Sequence, residues 1–284
     1  MNKKIYLSLA ALVIIVGGAV FFFTQKNASK QSNQNTNQEA TNQVSQNTNK
    51  SQNTNQNSTA AITWGQTQNG WAAQSGTPPT CPQTITSPVD LSLVTAILYP
   101  GQIRGGNYKP HGGFRFDSAT TNTITVSSPL AGNVVRASRY IENGDTQYMF
   151  DIMTDCGMMF RFDHLLTLSS SFQAIADQLP AAQVNNSQTT NVNPQVSISA
   201  GQAIATAVGM NVNGRNVAVD FGVYDFNKKN AASADSSWAA SHDPELAQHA
   251  LCWIDLFSAG EVTKIKSLPA GDSTSGATSD YCAS

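Results

Sequence analysis

Tyr108-Lys109-Pro110-His111-Gly112-Gly113-Phe114-Arg115-Phe116-Asp117 passes from a proline turn into alternating polar and apolar residues. Side chains of a strand repeat every two residues, so this alternation predicts a strand that presents His111, Gly113, Arg115 and Asp117 on one face. Polar chemistry in this chain belongs on that face. Upstream, Leu93 to Tyr99 reads as a strand closed by Pro100-Gly101. Gly105-Gly106 then leads into the His111 strand, either as a plain turn or as a place where a ligand comes close.

Downstream, Ile124-Thr125-Val126 is followed by Pro129, Gly132 and Val134-Val135. Gln147 to Thr154 and Met158 to His164 alternate on either side of Asp155-Cys156-Gly157, a hairpin signal. A short helix is predicted around Phe172 to Leu179. Asp243 is a good N-cap, Pro244 fits the first helical position and Glu245 suits the positive end of the helix dipole. The helix predicted there places Leu246, Ala250, Trp253, Ile254 and Phe257 on one face and stops at Gly260. It reads as a packing element, with His242 and His249 near its polar side and not as ligands. The last two dozen residues, rich in Ser and Gly, read as a loop.

Several of these segments resemble the M23 family, the LytM or lysostaphin-type zinc metalloendopeptidases that cut peptidoglycan cross-bridges. The family's H-x-G-x-D motif aligns with His111-Gly112-Gly113-Phe114-Arg115. Phe162-Asp163-His164-Leu165 stands where the family has Tyr-x-His-Leu, whose His assists catalysis, so His164 is the catalytic residue if the chain is active. Ile124 to Val135 resembles the family's strand, turn and strand, Val196 to Thr206 its glycine-centred strand and turn, and Ala218-Val219-Asp220-Phe221 stands where the family has H-x-H-F, which implies a strand over Asn216 to Asp225. The resemblance runs from about Leu93 to Asp225 and implies a mainly β, M23-like antiparallel sheet around a groove, with a C-terminal helix added.

It also implies a damaged metal site. Arg115 occupies the Asp ligand position, and a guanidinium is always cationic and offers no lone pair to a metal. Asp220 stands for the ligand His, and Ala218 for a catalytic His. No metal is therefore expected; if zinc binds, the implied donors are His111, Asp220 and Asp117, although Asp117 lies one strand repeat, about 6.6 Å, beyond the expected position. The metal-free alternative pairs Arg115 with Asp220 in the former zinc position. Tyr108, His111, Arg115, His164, Asp220 and Tyr224 are then the residues expected to line a groove for glycan or peptide.

Composition sets the compartment. Net charge is −2 and only 12% of residues are charged, which leaves no clustered basic footprint for nucleic acid. Residues 5–23 are uncharged and predominantly apolar behind Lys3 and Lys4, long enough to cross a bilayer. A cleaved signal peptide is the rival reading, but no small-x-small cleavage pattern follows. The expected organisation is a cytoplasmic stub (1–4), a transmembrane anchor (5–23), a disordered Asn/Gln/Ser/Thr-rich linker (24–60), an extended lead-in (61–92), the β-domain with its helix (93–260) and a tail (261–284). Cys81, Cys156, Cys252 and Cys282 would then lie outside the cytoplasm, where three pairings are open and Cys282 would staple the tail.

The expected function is a single-pass cell-membrane protein whose domain binds peptidoglycan or regulates a wall hydrolase without metal. An active, atypical zinc endopeptidase and a structural envelope protein are the alternatives.

Overall fold

The structure is a computed structural model and describes residues 62–68, 70–211, 216–271 and 278–282. The expected stub, anchor and linker lie outside those residues. Among the described residues no helix is long and apolar enough to cross a membrane.

The chain begins with a hairpin of β1 (Thr63–Thr67) and β2 (Gly70–Ser75). After a proline-rich passage come β3 (Ala96–Leu98), the small hairpin β4 (Gln102–Arg104) and β5 (Asn107–Lys109), β6 (Gly112–Arg115) and β7 (Val126–Ser127). Three long strands follow, β8 (Gly132–Glu142), β9 (Asp145–Met153) and β10 (Met158–Leu168), then the short helix α1 (Ser170–Ala176). Next are β11 (Gln183–Val184), β12 (Thr190–Ile198), β13 (Ala203–Val208) and β14 (Ala218–Asp225), and last the helices α2 (Ser236–Ser241) and α3 (Ala259–Ser267).

Ten strands form one sheet whose spine runs β11-β8-β9-β10-β14-β6-β3, with β12 on β8 and β13 between β10 and β7. Only β11 joins in parallel. The protein is thus mainly β, predominantly antiparallel, with a C-terminal helix. Gly105 and Gly106 both have positive φ and join β4 to β5 with open space around them, so the glycine pair is a tight hairpin turn.

One face of the sheet makes the main core. Phe221 is its hub, 5.2 Å from Phe162, 5.9 Å from Phe114 and 5.4 Å from Trp253 between ring centroids. Each buried aromatic contributes about 1.5–3 kcal/mol of apolar transfer. Ile85, Val89 and Leu91 belong to this core, so packing begins inside the expected lead-in. On the other face, Trp64 and Trp71 of the first hairpin cover Val135, Met153, Met159 and Tyr224. The two disulfides are Cys81–Cys156 and Cys252–Cys282, the second holding the tail as expected.

The helix expected from Asp243 to Gly260 does not form. Asp243 accepts the Leu246 N–H at 2.8 Å and caps a single turn. The chain then runs along β14, because Leu251 N–H donates to Val223 O and Asp225 N–H donates to His249 O, both at 2.9 Å. Groups committed to a neighbouring strand are withdrawn from an intrahelical ladder, and the edge of β14 beyond β6 thereby gains a partner. Trp253–Leu256 is a 3₁₀ turn. α3 begins only at Ala259, with Gly260 in its first turn and not at its stop, and it runs into the segment expected as loop.

The start of α3 is fixed by a capping box. Ser258 and Glu261 satisfy each other's end of the first turn, with Ser258 N–H donating to Glu261 Oε2 at 3.0 Å. Ser258→Ala is expected to lower stability by about 1 kcal/mol, read as a shift in urea midpoint at unchanged slope.

Candidate functional site

β6 and β14 lie side by side with Gly113 opposite Asp220 and Arg115 opposite Ala218. A Cβ on Gly113 would sit 2.5 Å from Val219 O and 3.1 Å from Asp220 Cα. Glycine therefore lets the strands approach, and the Asp220 carboxylate rises beside His111 at the entry of β6. His111 Nε2 is 2.9 Å from Asp220 Oδ2, an ion-pair distance. The contact is off the hydrogen-bond direction, and among the described residues neither buried His111 ring nitrogen has a hydrogen-bond partner.

His164 arrives from β10 at a bulge. The β9–β10 register slips between Phe162 and Leu165, and His164 between them has φ of 61°. Left-handed backbone is unusual for a side chain larger than glycine, costs about 1–3 kcal/mol and concentrates at functional sites. Here it turns the imidazole onto the Asp220 face, with Nε2 3.6 Å from Asp220 Oδ2. Asp163 Oδ1 accepts the His164 N–H at 2.8 Å and the Tyr140 hydroxyl at 2.5 Å, which fixes the bulge.

The ring orientation is set by Gln147 of β9, which is fully buried. Its Nε2 donates to Gly209 O, so Oε1 faces His164 Nδ1 at 2.7 Å. A carbonyl oxygen only accepts, so Nδ1 carries a proton and Nε2 is the nitrogen presented to Asp220.

Charge in the site is balanced internally. Burial by itself would raise the Asp220 carboxyl, but His111, His164 and Arg104 outweigh it and hold it well below the usual carboxylate range. Burial would lower His164, yet Asp163, Asp220 and Glu142 together raise it against the opposing Lys109. Arg104 lies beneath the wall of the site and donates to Tyr99 O and His111 O.

Of the six residues expected to line the groove, the structure brings His111, His164 and Asp220 together. Arg115 does not pair with Asp220, which corrects that expectation. Its Nη2 and Nε donate to Asp117 Oδ1 at 2.7 and 3.1 Å, and Asp220 takes the histidines as its ion-pair partners. The two-residue register offset separates the positions, and Asp117 is the nearer anion. Tyr224 is fully buried beneath the first hairpin, which removes it from any open groove. Tyr108 stands on the neighbouring wall, where its ring meets His242 edge-on and its hydroxyl bonds Asp280 and Tyr281. His242 stacks on Trp238 and His249 Nδ1 lies against the Asp225 and Lys228 carbonyls, so neither lies on the polar side of a helix as expected.

The donor set does not fit a catalytic zinc site of the M23 type. Asp117 is occupied by Arg115 and by Thr95 Oγ1, and is about half exposed. Among the described residues no group of three His, Cys, Asp or Glu could hold a metal ion. Gln147, Tyr140, Asp163 and Arg104 were not anticipated. Gln147 carried a signal in its place as a polar residue amid the apolar alternation of β9, and Asp163 and Tyr140 carried none.

The same sheet face continues into a buried row of charges. Asp151 is fully buried, and its Oδ1 and Oδ2 accept from Arg161 Nε and Nη2 at 2.7 and 2.8 Å. Arg136 Nε adds a 2.9 Å bond to Oδ2, while Arg136 Nη1 reaches Glu245 at 2.6 Å. Trp71 lies over the Arg136 guanidinium at 5.3 Å and donates its indole N–H to Glu245. No protein-family model, curated protein or solved structure matches this chain.

Proposed function

We propose that this chain is a membrane-tethered, extracytoplasmic binding protein, an M23-like domain that has given up its metal and recognises peptidoglycan or a wall hydrolase. The observation that carries this reading is the fate of the two substituted ligand positions. Arg115 is drawn off by Asp117, and Asp220 is compensated by His111 and His164. A carboxylate neutralised by protein cations has no remaining charge demand for Zn²⁺, and a fixed guanidinium nearby opposes one. Fold resemblance alone assigns no activity, so the proposal rests on these side chains.

His111 supports a binding role. Its Nε2 faces Asp220 at 2.9 Å, while its Nδ1 is buried with no hydrogen-bond partner among the described residues, a polar atom that a ligand reaching the site would satisfy.

Elemental analysis of the full-length chain, purified without chelator and then incubated with excess zinc and desalted, is expected to give far less than one equivalent of metal. In parallel, the protein is expected to cosediment with purified peptidoglycan sacculi or, failing that, to bind a cell-wall hydrolase directly. About one equivalent of zinc, with peptide cleavage that a chelator removes, would establish the atypical endopeptidase instead. Metal-free protein that binds neither sacculi nor hydrolase would leave the structural-envelope role.

A further inference from the structure

Away from the histidine site, the outer edge of β8 carries a gap. β12 pairs with β8 as far as Thr190–Ala137 and β11 joins at Gln183–Tyr140, so Ser138 and Arg139 have no strand beside them on that edge. The chain swings wide between the two strands. Asn185 N–H donates to Ile141 O at 2.8 Å, and its left-handed backbone, φ 54°, sends the next residues away from β8 before they return at Thr190. A cavity of about 330 Å³ occupies the gap, at the lower end of the size range of ligand pockets.

The charge in this cavity is positive. Arg139 lines it, and none of its other lining residues is ionisable. The half-buried guanidinium is fixed from one side, where Nε and Nη2 donate to Pro180 O at 3.3 and 3.1 Å and Nη2 also donates to Leu179 O at 3.1 Å. Nη1 has no partner among the described residues. Carbonyl oxygens orient a cation without cancelling its charge. Arg115, Arg136 and Arg161 each have a carboxylate, whereas among the described residues Arg139 has none. Asp177, two residues before Leu179, is exposed, accepts from Gln173 at 2.8 Å and lies outside the lining. Thr189 and Thr190 also line the cavity, and among the described residues their hydroxyls have no hydrogen-bond partner.

We propose that this cavity binds a small organic oxyanion, a carboxylate or a phosphate monoester, with the anionic group on Arg139 Nη1 and the organic part against Leu179 and Pro180. Both oxyanions accept charge-assisted hydrogen bonds from a guanidinium, and the two threonine hydroxyls can donate to oxygens that Arg139 leaves unmet. A guanidinium already held by carbonyls loses little further freedom when the ligand arrives. The cavity volume exceeds what the anionic group alone would fill. The site shares no residue with His111, His164 and Asp220, and it does not rest on the cell-wall reading, so neither sacculus binding nor metal content bears on it.

The test is an amide NMR titration of the full-length chain in uncharged detergent with glycerol phosphate, glycerate and, as the neutral control, glycerol. Saturable shifts at Ser138, Arg139, Thr189 and Thr190 are expected with at least one of the two anions and not with glycerol. A response to one anion alone identifies the class that the site takes, and a response to both shows that it reads the charge. Arg139→Gln removes the charge, keeps N–H donors on a shorter side chain and is expected to weaken the apparent affinity at least tenfold. Arg139→Lys, which keeps the charge without the planar fork, is expected to fall between the two. Amide shifts elsewhere in each variant report whether the fold is intact. A second readout needs no variant: raising sodium chloride from about 20 to 200 mM should weaken the anion severalfold by screening. No saturable shift with either anion, an equal response to glycerol, an undiminished affinity in a folded Arg139→Gln variant, or an affinity indifferent to salt would each overturn the site.

Discussion

Asp151→Ala is expected to lower the free energy of unfolding by about 3–5 kcal/mol, the cost of breaking a buried charge cluster by deleting its shared partner. Asp151 has no exposure, and both guanidinium groups that it holds are largely buried. Burial would raise its carboxyl, but Arg161 and Arg136 together overcome that and lower it. The two arginines fare differently without it. Arg136 keeps Glu245, whereas the side-chain bonds of Arg161 both go to Asp151. The loss is therefore mostly the desolvation of Arg161, which no rearrangement within a packed sheet face can return to water. Urea denaturation followed by circular dichroism measures it. A companion variant with Arg161→Met and Asp151→Leu should recover most of the deficit, since replacing both charges leaves none unpaired. A loss under 1 kcal/mol for Asp151→Ala would mean that the row is hydrated and its arginines free to reorient.

The legible parts of this fold were those fixed by local alternation. Gln147 to Thr154 and Met158 to His164 declared a hairpin, and β9 and β10 pair as that pattern requires. Val196 to Thr206 and the Phe221 strand also lie where the motif resemblance implied strands. The helix from Asp243 failed because helical spacing of apolar residues says nothing about which backbone groups a neighbouring strand needs, and β14 had an open edge. Ser258-Ala259-Gly260-Glu261 was a readable capping signature, obscured by the glycine within it. At the site, His111, His164 and Asp220 could be named from motif positions. Arg115 could not be placed, because its choice between Asp117 and Asp220 turns on a two-residue register offset. Gln147 and Asp163 act through side-chain geometry around a bulge, and a bulge has no dependable mark in sequence.

Asp220→Ala is the complementary test, because its effect must depend on pH in a set direction. Asp220 has a depressed carboxyl in the folded protein, so its contribution is full above the unfolded value near 4 and fades as pH falls through the lower folded value. His164 is raised, so its contribution is full below about 6.5 and is lost as pH rises through its folded value. The two windows overlap between about pH 4 and 6.5. Within that interval, deleting Asp220 should cost about 3 kcal/mol, since it leaves His164 facing a vacancy where its counter-charge stood. Above that interval the histidine can discharge, and the difference between wild type and variant should shrink. Asp163 and Glu142 remain beside His164 and hold part of its shift, so the variant's alkaline loss begins at lower pH without disappearing. Stability curves at pH 5.5 and 8.5 decide the matter. A penalty that grows toward pH 8.5 would show that Asp220 is held chiefly by Arg104, whose charge does not titrate there, and the two histidines would then be free to serve a ligand and not the carboxylate.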